Sequence, residues 1–111
     1  MRPTDVSEPP AGAALAREPR VVLHMRDLGD TLPASLETIL RALEPAPERV
    51  ETRFVDLDVD RGQVRYFHAA DAALARAVAG ALEAVFDEVA VRDFGHYRPR
   101  PSAGLIEVWI R

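Results

Sequence analysis

The chain has 111 residues, 48% of them hydrophobic and 29% charged, which is enough for one domain with a single core and reads as a soluble globular protein; no apolar run reaches the length of a membrane span. Its formal charge of −4 argues against a sequence-independent nucleic-acid binder, which needs a basic surface to displace counterions. Cysteine is absent, which excludes a disulfide framework and a thiolate metal site. All 14 basic residues are arginine, a bias that reads as genomic base composition before function.

Residues 1–19 hold four of the nine prolines and show neither the strand nor the helix period, so they read as a tail or linker, with a transient helix conceivable over Ala11 to Arg17. The domain is expected over 20–111. Arg20 to Arg26 alternates as a first strand, with Val21, Leu23 and Met25 on one side and Val22 and His24 on the other. A helix follows, capped by Asp30 or Thr31, with Pro33 in its first turn. Leu32, Leu36, Ile39, Leu40 and Leu43 form its apolar stripe, and Pro45 and Pro47 end it.

Arg49 to Asp58 reads as a second strand, turned by Asp60 to Gly62 into a third, Gln63 to His68, as a hairpin. Asp71 stands where an N-cap belongs, before a long helix whose stripe is Leu74, Val78, Leu82 and Val85, with Ala77 and Ala81. Asp87 to Phe94 makes a fourth strand. A loop rich in proline and glycine leads to a last strand, Leu105 to Ile110, expected beside the fourth.

The order β-α-β-β-α-β plus a terminal strand predicts an α+β domain of the ferredoxin-like, split β-α-β kind. That fold has an antiparallel sheet, both helices on one face, and here an extra C-terminal strand. The other face is then open. Placing the more apolar set under the helices puts Leu23, Met25, Val55, Leu57, Val64, Tyr66, Ile106 and Val108 inside. His24, Arg53, Phe54 or Asp56, Arg65, Phe67, Glu107 and Trp109 are left on the open side. His24, Arg65, Phe67 and Trp109 are the ligand-binding candidates there, able to stack on and hydrogen-bond a planar or sugar-like ligand. The plainer alternative is that Trp109 and Phe67 cover a small second core.

The loop Asp93 to Gly104 concentrates His96, Tyr97, Arg98 and Arg100 within five residues, held by Pro99 and Pro101, with Arg92 just before it. Proline lowers the cost of ordering the arginines, which suits capture of a carboxylate or phosphate. The competing account is a stiff loop whose arginines meet surface acids.

Asp56, Asp58 and Asp60 alternate, but a calcium loop would need Gly and Glu where Arg61 and Phe67 stand. A charged edge strand explains them better. His24, His68 and His96 lie in separate elements without metal spacing. Ser7, Ser35 and Ser102 have no elbow motif, and no Gly-rich phosphate cradle appears. The expectation is a domain without catalytic residues, metal or cofactor.

The segments Val64-Arg65-Tyr66, Asp71 through Leu82 and Ile106 to Ile110 resemble the C-terminal domain of LytR-type cell-envelope proteins and the related SPOR-like fold, over about residues 50–111. This resemblance implies a non-catalytic bacterial binding module with a glycan-contacting sheet face and an envelope or periplasmic setting. A chain complete as it stands would instead be cytoplasmic. The first strand lacks the Gln-x-Gly-Ser-type ending of SPOR domains, and the proline–arginine loop has no counterpart there. The candidate partners are a glycan or another protein, including a second copy of this chain, with neither nucleic acid nor membrane insertion. Interaction or dimerisation is the alternative function.

Overall fold

The computed structural model describes residues 18–56 and 62–110. Most of the expected tail and its transient helix, Leu57, Asp58 and Asp60 lie outside these residues. The elements are β1 (Arg20–Met25), α1 (Leu32–Arg41), β2 (Arg49–Phe54), β3 (Gly62–Tyr66), a 3₁₀ turn (Ala69–Asp71), α2 (Ala72–Leu82), β4 (Val89–Asp93) and β5 (Leu105–Trp109). They form an α+β domain around one five-stranded sheet in the order β2-β1-β5-β3-β4.

The sheet is mixed and mostly parallel, where an antiparallel, ferredoxin-like one was the expectation. β1 pairs parallel with β2, β3 with β4, and β1 with β5; only β3 and β5 run antiparallel. Each half is therefore a self-contained β-α-β unit, whose right-handed crossover lays its second strand beside its first. That rule sends β2 to one edge of the sheet and β4 to the other. The expected hairpin does not form: β2 stops at Phe54, and β1 and β5 separate it from β3.

β5 also departs from expectation, lying between β1 and β3 and not beside β4. Its composition explains the place. Leu105, Ile106, Val108, Trp109 and Ile110 make it apolar on both sides, as a central strand must be. The edge strands RVETRF and VAVRD carry more charge than the central LIEVW.

Both helices lie on one face. Leu36 and Leu40 of α1 and Ala75, Val78, Ala79 and Leu82 of α2 share a single buried cluster with Val21, Leu23, Val50, Val64, Ile106 and Val108. The stripe of α2 is rotated from the expected one. The helix buries Ala75 and Ala79, stops at Leu82, and leaves Val85 exposed. Small alanines let the helix lie close on the sheet, so its axis settles over them and Leu74 moves to the flank.

Both helices start at the expected cap residues, although only the first has a side-chain bond at its start. Asp30 Oδ1 accepts from the Leu32 amide at 3.1 Å, while Thr31 occupies the cap position without a side-chain bond. Asp71 stands at the N-cap of α2 but makes no cap bond there. It is almost fully buried, and its Oδ2 accepts from the Gly104 amide at 2.8 Å. Gly104 has φ +99°, and a Cβ there would overlap the Glu18 carbonyl. Its own carbonyl accepts from the Arg20 amide at 2.8 Å. The β4–β5 loop is thus tied at once to the start of α2 and the start of β1.

Candidate functional site

Strand alternation puts every second residue on the uncovered face, and the registers align them across the sheet. One row runs Arg53, His24, Trp109, Gln63, Ala90; the next runs Glu51, Val22, Glu107, Arg65, Arg92. Arg20 and Arg49 pair in the row below. The strand positions of this face carry five arginines and two glutamates, a local excess of three positive charges on a chain of net −4.

The centre of the face is a stack of flat groups standing side by side. The His24 and Trp109 rings are 4.0 Å apart and 5° from parallel. The Arg65 guanidinium lies 4.9 Å from the Trp109 ring on one side and 4.7 Å from the Phe94 ring on the other. Arg65 Nε donates to Gln63 Oε1 at 3.0 Å, and Trp109 Nε1 donates to Glu107 Oε1 at 3.1 Å. His24 is buried, and its Nδ1 donates to the Val108 carbonyl at 3.4 Å. Burial lowers the His24 pKa below 6.5, with Glu107 opposing the shift. Burial lowers that of Arg65 as well; Glu107 pulls it back up and Arg92 adds to the lowering.

Of the residues singled out by sequence, His24, Arg65 and Trp109 meet on this face. Phe67 corrects the expectation of an exposed stacking ring. It is 3% exposed, with Phe94 and Tyr97 set edge-on to it at 6.1 Å each. A run of apolar rings beside a proline loop has more area to gain by closing on itself than by facing water. Phe67 thereby joins the small second core that was the plainer alternative. Phe54 sits in register with Met25, on the helix side at the sheet's edge, and is half-exposed.

The proline loop is held from several sides. His68 Nε2 donates to the Pro101 carbonyl at 2.7 Å, and Arg20 Nη2 donates to Ser102 Oγ at 2.9 Å. Arg98 Nη1 donates to the carbonyls of Gly95 and Tyr97, both at 2.8 Å. That nitrogen is spent on the loop's own backbone and not on a surface acid. Arg100 is exposed, Tyr97 is half-exposed, and His96 stands 5.7 Å from the Phe94 ring. The loop therefore brings His96 and Phe94 toward the stack while leaving Arg98 and Arg100 outside it.

Sequence reasoning missed Gln63, Arg92 and Phe94 as members of the site. Together with Arg65, Val91, Asp93 and His96 they line an open cleft of about 500 Å³ along the β4 edge. Alternation within Gln63-Val64-Arg65 and Arg92-Asp93-Phe94 carries part of this signal; the rest needs the β3–β4 register. Among the described residues no cluster of three His, Cys, Asp or Glu could hold a metal, and no helix is long and apolar enough to cross a membrane.

Comparison of the chain with family models, curated proteins and solved structures finds no match.

Proposed function

We propose that the protein is a non-catalytic binding module of a bacterial protein whose ligand docks on the uncovered sheet face. In line with the LytR- and SPOR-type resemblance, the ligand is a glycan, namely a peptidoglycan strand. The observation that carries this reading is the Phe94–Arg65–Trp109–His24 stack. Trp109 is occupied by the His24 ring and the Arg65 guanidinium, so a ligand meets edges and hydrogen-bonding groups there. Arg65 and Gln63 offer hydrogen-bonding groups in fixed positions, the kind of array that hydroxyl- and carboxylate-bearing sugars require. The imidazole at the centre of the face is packed against Trp109 and the Val108 carbonyl, a supporting role and not one of proton transfer.

Co-sedimentation with purified peptidoglycan sacculi tests this. The wild-type chain should pellet and Arg65→Gln should stay in solution, both keeping a cooperative melt. Wild-type protein that remains in the supernatant contradicts the reading.

A second reading is a protein-interaction or dimerisation domain. It is favoured by the unpaired outer edge of β4, where Val91 is 36% exposed and a partner strand could add. Light scattering that reports a concentration-dependent dimer, lost in Val91→Arg, would select it.

A further inference from the structure

The lining of the cleft along β4 carries more positive than negative charge, with Arg65 and Arg92 against Asp93. Arg65 and Arg92 are register partners across the parallel β3–β4 pair, so two guanidiniums leave the open face side by side. Like charges in neighbouring positions repel. Arg65 has Glu107 as its partner on the β5 side. Arg92, on the outer strand, has no carboxylate of a described residue within ion-pair distance. Asp93 also lines the cleft, but it is in register with Tyr66 and not with Arg65, and its Oδ1 is engaged by the Gly95 amide at 2.8 Å.

The surroundings favour an incoming anion. Arg65 is fixed in advance between the Phe94 and Trp109 rings with its Nε on Gln63, while its terminal nitrogens meet no acceptor among the described residues. A guanidinium already ordered and partly desolvated loses little on binding, and its planar fork suits an oxyanion. His96 stands at the cleft wall, held over Phe94 by a loop that His68, Asp71 and Arg20 anchor. The excess of arginine on this face concentrates anions there although the whole chain is acidic.

We infer that this cleft is an oxyanion site, in which a carboxylate or phosphate of the ligand lies between Arg65 and Arg92 and within reach of Gln63 and His96. The site belongs to the face proposed above for binding and deepens that reading by requiring an acidic ligand. It does not require the ligand to be a glycan.

NMR of the arginine Nε–H groups in the full chain tests the inference. Inorganic phosphate, glucuronate and neutral glucose are titrated separately at constant ionic strength. Saturable shifts at Arg65 and Arg92 are expected with at least one anion and not with glucose. Whichever anion binds more tightly identifies the source as phosphate or carboxylate. Arg92→Gln should weaken binding about tenfold or more, the usual loss for a charged hydrogen bond, while Arg53→Gln at the far edge should leave it unchanged. Absence of shifts with both anions overturns the inference. So does equal weakening by Arg92→Gln and Arg53→Gln, which would mean diffuse attraction by the whole face. Saturable anion shifts with no pelleting on sacculi would keep the site and remove the glycan.

Discussion

The two sides of this sheet are built from alternate residues of the same strands, yet they obey different rules. On the helix side Leu23, Val64, Ile106 and Val108 are almost completely buried among aliphatic groups. On the other side Val22 and His24 are also buried, and there the His24 imidazole, the Arg65 guanidinium and the Trp109 and Phe94 rings stack on one another. One side excludes water by a second layer of structure and the other by stacking its own side chains. The first sets the fold. The second leaves a positively charged surface with an open cleft at its β4 edge, whose outermost groups can change partners without unfolding anything.

Substitutions at paired depths can break or sharpen this contrast. Leu23→Ala should lower the free energy of unfolding by about 2–5 kcal/mol in urea titrations, as cavity formation in an aliphatic core does. Next comes Asp71→Ala, which strands the Gly104 amide and should cost about 1–3 kcal/mol; Asp71→Asn, which keeps an acceptor, should cost less.

A smaller effect belongs to His24. Its pKa is lowered in the fold by burial, so between that lowered value and 6.5 the unfolded chain binds the extra proton. Stability therefore falls as pH drops through 6.5, by at most about 1.4 kcal/mol per pH unit from this group, and levels off below the folded pKa. Unfolding curves from pH 7.5 to 5 should be less steep in pH for His24→Phe than for the wild type. Smallest of all, Arg92→Gln should change stability by about 0.5 kcal/mol or less, as exposed substitutions do. If Arg92→Gln destabilised the protein as much as Leu23→Ala, the distinction between the two sides would collapse.

Much of the layering was legible in the sequence, because alternation in VVLHM, QVRY and LIEVWI sorts residues by face whatever the strands pair with. His24, Arg65 and Trp109 reach a common face for that reason. Strand neighbours were not legible. Parallel and antiparallel partners share the same local pattern, and only the crossover geometry and the two-sided apolarity of β5 decide between them. The stripe of α2 was misplaced because a run of alanines fits several helix faces, and Ala75 and Ala79 won by letting the helix sit close.

The site shows the same division. Phe94 and Arg92 join Arg65 only through the β3–β4 register, which no short motif encodes. In the proline loop the sequence displayed four polar or charged groups of equal promise. Hydrogen bonding separated them: Arg98 is committed to the backbone of its own loop, and His96 is delivered to the cleft wall.

Backbone amide shifts during titration with soluble muropeptides test the uncovered face most directly. Changes should cluster on Gln63, Arg65, Arg92 and Trp109 while Leu36, Leu40 and Val78 beneath the helices stay still. Perturbations confined to α1 and α2, or none at saturating ligand, would contradict the account.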